Sequence, residues 1–348
     1  MKICFLFLVL FCLINSIPCY QLEVKNEKLL NTIQKFNKNK NKGILAMDES
    51  IPTIEKRFSE FNIKNTKSNR KKYRNLLLNT PDLNKYVSGC ILFEETLLQE
   101  KNIVKDLKKK NILTGIKLDE GILFSPKKFE YTTKGIENLE KKCLLYKKLG
   151  VSFAKWRSVF QISPNTPSKI NIKENCHTLA KYASICQKYS IVPIIEPEII
   201  MDGNHSIYET LKTQEKILKT MYCIFDQYDI FLEGSILKTN MILPGINHKK
   251  NTYPTEVANF TIKSFERSVP SAVPIITLLS GGLSEKDASL YLNFIKKYQK
   301  KCKSKWNITF SFGRALQHSC LKIWKGNKKN IYEGQKKLLE NLIKNNLT

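Results

Sequence analysis

Residues 231–241 read FLEGSILKTNM. Phe231, Leu232, Ile236 and Leu237 have the make-up of a buried strand, yet Lys238 stands against that apolar run. Desolvating an ammonium is expensive, so a lysine in such a place either reaches back to water or serves where an uncharged amine is wanted. The stretch is one of eight with the same design, a short β-branched and apolar run that ends in polar or charged residues. The others are GILAMDES (43–50), VSGCILF (87–93), LTGIKLD (113–119), VSFAKWRSVF (151–160), IVPIIEPEI (191–199), AVPIITLLSGG (272–282) and NITFSFGRAL (307–316), and the present one extends over 230–241. Between them lie segments of helical periodicity, such as IENLEKKCLLYKKL (136–149) and CHTLAKYASICQKY (176–189), and YEGQKKLLENLIKNN (332–346) predicts a last amphipathic helix. Eight alternations of strand and helix predict an α/β fold, a single (β/α)8 TIM barrel, with no Pro- or Gly-rich linker to divide it.

The composition fits one globular domain behind a short leader. With 348 residues, 42% hydrophobic and 26% charged, the chain can bury a large core. Its formal charge of +27 is compatible with an anionic small substrate. The lysines are spread among asparagines and isoleucines, as in NKNKNKG and KDLKKKN, and no compact arginine-rich, aromatic-interleaved patch predicts a nucleic-acid partner. Residues 1–20, MKICFLFLVLFCLINSIPCY, carry Lys2 before twelve apolar residues from Ile3 to Ile14, the dimensions of a signal peptide cleaved between Ser16 and Tyr20. That leaves 21–348 as the barrel and predicts entry into the secretory pathway, with a plastid-type organelle as destination and the cytoplasm as the alternative. Removing Cys4, Cys12 and Cys19 with the leader leaves seven scattered cysteines without ligand spacing, read as reduced small hydrophobes. Cys176 and His177 read as helix residues, and four histidines in all predict no histidine-built metal site. The sequons at Asn204, Asn259, Asn307 and Asn346 read as chance in an Asn-rich chain.

In such a barrel the C-terminal strand ends form the active mouth. The strand ends bring there Asp48 with Glu49 and Ser50, Lys117 with Asp119, Lys155 with Arg157, Glu196 with Glu198, Lys238, Ser280 with Gly281, and Gly313 with Arg314. A strand-end charge taken singly is usually a solvated rim. In KWR and EPE, however, residues two apart point to one face, into the barrel, where charge must be neutralised by charge. A second inward cation, Lys155, favours a neutral amine at Lys238, the state that attacks a carbonyl. The turn LSGG and the sequence FGR supply backbone N–H groups and a guanidinium for a phosphate.

With KGILAMDES, GCILFEETL, GIKLDEG, FAKWR, YASICQ, IVPIIEPEI, DGNH, LEGSILKTNM, LSGG and TFSFGRALQ in order, the chain resembles the class I fructose-bisphosphate aldolases from about residue 27 to 347. The resemblance implies a lyase that cleaves fructose 1,6-bisphosphate to two triose phosphates, without metal or other cofactor. It implies Lys238 as the Schiff-base residue, Glu196 as the acid/base of carbinolamine dehydration, and Asp48 as the group that takes the C4 hydroxyl proton. Lys155 would hold substrate hydroxyls, with Glu198 and Arg157 in support. One phosphate would sit on Ser280, Gly281, Gly313 and Arg314, the other on Lys117, Ser50 and Thr53.

The resemblance further implies a homotetramer, and it leaves open a broader ketose-bisphosphate specificity that includes sedoheptulose 1,7-bisphosphate. A scaffold that binds acidic peptide tails or cytoskeletal filaments is the non-catalytic alternative. Three departures from the family pattern stand out. DESIPT replaces the usual DESTGS, Thr239 replaces a proline, and the chain ends at Thr348, before the family's terminal tyrosine, which predicts slow protonation of the product enamine.

Overall fold

The computed structural model describes residues 26–38, 41–100, 102–125, 129–249 and 252–346. The expected leader therefore lies outside the described residues. Ten strands follow in chain order: β1 (Gly43–Met47), β2 (Val87–Leu92), β3 (Leu113–Lys117), β4 (Ile122–Phe124), β5 (Tyr131–Thr133), β6 (Phe153–Gln161), β7 (Val192–Ile200), β8 (Ile236–Asn240), β9 (Ile275–Leu279) and β10 (Asn307–Phe312). Eight of them close a parallel barrel in the order β1-β10-β9-β8-β7-β6-β3-β2. Six of them lie inside stretches read from the sequence, and β6 and β7 run one residue past theirs, because parallel strands covered on both faces are near-continuous apolar runs.

The remaining two, β4 and β5, pair antiparallel as a hairpin over the C-terminal mouth. They are three residues each, ILF and YTT, too short for either to read as a strand in the sequence, and Phe124 is exposed. Side chains tie the hairpin down: Tyr131 Oη donates to Gln161 Oε1 at 2.9 Å, and Asn171 and Asn175 both donate to the Tyr131 carbonyl.

One expectation is corrected at the opening stretch. Phe231 and Leu232 do not belong to the strand; Leu232–Gly234 is a single 3-10 turn and β8 begins at Ile236. The Gln187 side chain holds both backbone groups of Phe231, donating to its carbonyl at 2.7 Å and accepting from its N–H at 3.1 Å, so neither is left for a ladder. The predicted helix over 136–149 is likewise shorter, Leu139–Lys148, and that over 176–189 is the second half of Lys169–Lys188.

Two apolar layers hold the barrel. The larger fills the space between strands and surrounding helices. The smaller lies inside the strands, where Ile44, Ala46, Ile91, Phe153, Val192, Ile194, Ile236 and Ile275 meet Leu29, Ile33 and Phe36 of the helix over 26–37. That helix closes the N-terminal end, and the Phe36 ring meets Phe153 edge-on at 5.1 Å. Because side chains alternate across a strand, the inward residues two positions further on from this layer are the polar ones: Asp48 after Ala46, Lys155 after Phe153, Glu196 after Ile194 and Lys238 after Ile236. Cys90, Cys143, Cys176, Cys186 and Cys320 are buried free thiols, and burial pushes those of Cys90, Cys176 and Cys320 up to about 12.

The interior is filled by trading side-chain volume. Phe153 occupies room left by Gly89 and Gly115, and a Cβ at Gly115 would overlap its ring. Gly115→Ala is therefore expected to destabilise the fold by about 1–3 kcal/mol through overpacking, seen as a lower urea midpoint. Adding Phe153→Leu should restore part of the loss, since the two positions share one space. An unchanged midpoint in the single variant would show that the ring is not confined there.

Candidate active site

Parallel register sets the site. Lys117 lies beside Lys155 across β3 and β6, Ile195 lies beside Leu237 across β7 and β8, and the next step along that pair brings Glu196 to the level of Lys238. The result is a linked row of charges. The Lys155 ammonium lies 2.8 Å from Asp48 Oδ2, 3.4 Å from Glu196 Oε2 and 3.6 Å from Asp119 Oδ2. Glu196 turns its other oxygen to Lys238 Nζ at 2.9 Å, and Asp119 turns its other oxygen to Lys117 Nζ at 2.7 Å. Arg157 donates through Nε to Glu198. Four cations, Lys117, Lys155, Arg157 and Lys238, thus face four carboxylates, Asp48, Asp119, Glu196 and Glu198. Neutrality is what allows such a set to stand almost out of water, since an unpaired buried charge is far more costly.

The titration of these groups follows from their neighbours. Burial by itself would raise the Asp48 carboxyl, but Lys155, Lys238 and Lys117 take it down to about 2. Burial works against the charge on Lys155, and Asp48, Glu196 and Asp119 outweigh it, so this ammonium is held above the ordinary lysine range. For Glu198 burial is likewise outweighed, chiefly by Arg157, and the carboxyl lies below its usual range.

All thirteen residues given a role from the sequence line one cavity of about 1080 Å3. Asp48, Lys155, Glu196 and Lys238 form its floor. At one rim Arg314 is anchored on the Gly282 carbonyl, beside Ser280 and Gly281, and it opens the helix Arg314–Trp324 whose N-terminal end faces the cavity. Gly281 has φ +53° and Gly282 φ +96°, the left-handed conformations that the LSGG turn requires. At the other rim Ser50 Oγ and Thr53 Oγ1 are 3.0 Å apart at the start of the helix Ile51–Ser59. Pro52 falls in the first turn of that helix, where its missing N–H has no partner to lose, so the departure DESIPT is compatible with the local structure. Thr239 points out of the barrel and donates to the Pro197 carbonyl at 3.3 Å.

The structure also adds residues. Asp119 is a full member of the charge row, although the sequence reading gave it no role. The signal was present, because Lys117 and Asp119 are two apart in IKLD just as Lys155 and Arg157 are in KWR. Lys117 is correspondingly occupied by Asp119 as well as lining the rim. Lys56 and Arg57 reach the cavity from the helix after β1, and nothing in the strand pattern marks them. Glu49 turns from the charge row to pair with Arg57, with Arg74 donating to its carbonyl at 3.0 Å. Among the described residues no group of His, Cys, Asp and Glu has the geometry to hold a metal ion.

Comparison with known proteins agrees with this geometry. A family profile described as Fructose-bisphosphate aldolase class-I matches residues 28–348. The chain is similar to the fructose-bisphosphate aldolase of Drosophila melanogaster, with 46% identity over 306 residues covering 86% of this chain and 84% of that one. It is similar to fructose-bisphosphate aldolase 4, cytosolic, of Arabidopsis thaliana, with 44% identity covering 86% and 77% of the two chains. Among solved structures, the fructose-bisphosphate aldolase from Plasmodium falciparum in complex with TRAP and a small-molecule inhibitor superposes with a TM-score of 0.89 at 41% identity, covering 93% of this chain and 94% of that one.

Lys155 is the group whose loss should disturb the site most. Because the Asp48 carboxyl lies at about 2 rather than near its unfolded value of about 3.9, its ionisation supports the folded state above pH ~4, and that support fades as pH falls toward 2. Lys155→Met would leave three neighbouring carboxylates without their shared cation and is expected to cost about 3–5 kcal/mol at neutral pH. The deficit relative to the unaltered protein should shrink on acidification, as protonation relieves the repulsion. Urea unfolding at a series of pH values checks this, and a deficit independent of pH would disprove the electrostatic cause.

Proposed function

This chain belongs to the class I fructose-bisphosphate aldolase family and is a lyase of fructose 1,6-bisphosphate, and on that premise we propose that Lys238 carries the reaction as a Schiff base. The observation that carries the reading is the pair of contacts made by Glu196, 2.9 Å from Lys238 Nζ and 3.4 Å from Lys155 Nζ. The attacking amine must be neutral, and Glu196 is the adjacent acceptor for the proton it sheds. Attack of Nζ on the C2 carbonyl forms a carbinolamine. Glu196 returns the proton to its hydroxyl, water leaves, and a protonated imine remains.

The imine is the electron sink for the next step. Asp48, already ionised with its carboxyl at about 2, takes the C4 hydroxyl proton while the C3–C4 bond breaks and its electron pair enters the imine as an enamine. Glyceraldehyde 3-phosphate leaves first. Protonation at C3 and hydrolysis of the imine then release dihydroxyacetone phosphate and the free Lys238. Lys155 neutralises whichever carboxylate is charged and offers N–H donors to the substrate hydroxyls. Asp119 Oδ2 and Glu196 Oε2 are buried acceptors without a well-formed hydrogen bond, suited to receive hydroxyl groups of the sugar. Glu198 and Arg157 orient each other beside them. The two cavity rims, one with Arg314, Ser280, Gly281 and Gly313 and the other with Ser50, Thr53 and Lys117, support one phosphate each.

Borohydride added during turnover is expected to reduce the imine and fix the triose on Lys238, where peptide mass spectrometry locates it. Lys238→Met should abolish both the adduct and cleavage. An active Lys238→Met variant, or an adduct on another lysine, would overturn the assignment.

Two readings of the compartment stand on different observations. The relatives from Arabidopsis thaliana and Spinacia oleracea are named cytosolic and cytoplasmic, which supports the cytoplasm. The apolar run at 3–14 behind Lys2 supports secretory entry, and we favour the latter because the run has the length of a signal-peptide core. A fusion of residues 1–45 to a fluorescent protein should leave the cytosol, and uniform cytosolic fluorescence would return the enzyme to cytoplasmic glycolysis.

A further inference from the structure

The opposite end of the barrel carries a second concave surface that the proposed reaction does not use. A cavity of about 850 Å3 lies where β1, β2, β3 and β6 begin, beneath the helix over 26–37. Lys35, Lys38, Lys42, Lys105, Lys108 and Lys148 line it, and among the described residues no aspartate or glutamate does. The apolar layer around Phe153 and Ile236 separates it from the charge row above.

Elsewhere on this surface lysines find partners, as Lys188 does with Glu140 at 2.7 Å and Lys337 with Glu340 at 2.9 Å. None of the six makes an ion pair among the described residues. Asp106, the acid closest in sequence, turns to the other side of its helix, where it lies 3.9 Å from Lys109. Burial lowers the Lys42 ammonium from its ordinary value, the mark of a cation held against the protein without compensation.

A structural explanation exists for part of this charge, and its size can be compared with the whole. In this fold the C-terminal ends of the helices point to the N-terminal end of the barrel. Those of the helix over 26–37, of Ile103–Lys109 and of Leu139–Lys148 converge here, and lysine at a helix C-terminus is favourable. Three such ends supply about −1.5 elementary charges against six ammoniums, so an excess of about +4.5 is left. Phosphate groups carry about −1.5 to −2 each near neutral pH, so about three of them close together would balance that excess. Hydroxyl and amide groups of Ser88, Ser152, Asn84 and Asn111 line the same walls and complete a polar surface.

We propose that this cavity at the N-terminal end of the barrel is a second anion site, which takes a small ligand bearing three or more clustered phosphates. It is separate from the sugar-phosphate site and does not depend on the Schiff-base reading. The ligand class is a small polyphosphate ester, either free or as a lipid headgroup, recognised by its clustered phosphates.

Isothermal titration of the full chain with myo-inositol hexakisphosphate at physiological salt tests the proposal, with the active mouth filled by a non-cleavable hexitol 1,6-bisphosphate. Binding should persist with the mouth filled and should weaken as salt is raised. It should fall by about tenfold or more in Lys38→Glu/Lys108→Glu, and by less in the charge-removing Lys105→Gln/Lys148→Gln. Aldolase turnover should be unchanged in both variants, which confirms that they fold. Displacement of the probe by the hexitol bisphosphate, binding unaffected in the charge-reversed variant, or no binding at physiological salt would each overturn the site. Co-sedimentation with phosphatidylcholine vesicles, with and without phosphatidylinositol bisphosphate, assigns the source. Vesicle binding that the variants lose supports a lipid headgroup, whereas probe binding without vesicle binding supports a soluble ligand.

Discussion

One ammonium, that of Lys155, holds the buried charge row of this molecule together. Its three carboxylate neighbours come from the end of β1, the end of β3 and the middle of β7, so a single side chain links parts of the chain well over a hundred residues apart. None of the three carboxylates could remain ionised in so enclosed a place without a shared cation, and the cation could not be desolvated without them. The cost of the arrangement is borne because all members are present together, with Lys117, Arg157 and Lys238 completing a neutral set. Its geometric consequence is that Glu196 is held between two lysines, one oxygen toward Lys238 and the other toward Lys155.

The apolar half of the barrel makes that polar half feasible. Phe153, Ile194 and Ile236 lie one inward step below Lys155, Glu196 and Lys238, and the helix over 26–37 seals the opening beneath them with Leu29, Ile33 and Phe36. Water is thereby excluded from below, and the charged row meets solvent on one side only. Low surrounding polarity strengthens each ion pair in the row and fixes its geometry. The same topology sends the helix C-termini to the far end, where among the described residues lysines line the cavity without acids. The two ends of one barrel thus acquire opposite electrostatic designs, a neutral lattice of charges at one and an uncompensated basic hollow at the other.

Much of this was legible in the sequence for a simple physical reason. Strands buried on both faces must be apolar throughout, so each barrel strand announces itself, and the polar residue that ends it marks the mouth. Period-two alternation then identified Lys155 with Arg157 and Glu196 with Glu198 as inward pairs. The same rule applied to Lys117 and Asp119 would have completed the set. Less legible were features that depend on short or irregular backbone. The hairpin of Ile122–Phe124 and Tyr131–Thr133 has three-residue strands, the first of them exposed, held by side chains from elsewhere, and the break at Leu232–Gly234 depends on Gln187, more than forty positions away.

The sequence by itself determined the alternation of strand and helix, the inward direction of Lys238 and the family to which the ten ordered motifs belong, because each is a local matter of residue type and spacing. Only the tertiary structure decided which charges meet. Parallel register brought Glu196 to Lys238, barrel closure brought Asp48 to Lys155, and the packing of Ile51–Ser59 brought Arg57 to Glu49 rather than leaving that carboxylate in the row. Those contacts depend on distances across the closed sheet. Residue spacing along one strand does not contain them, since the partner and the register of each strand are settled only when the eighth strand pairs with the first.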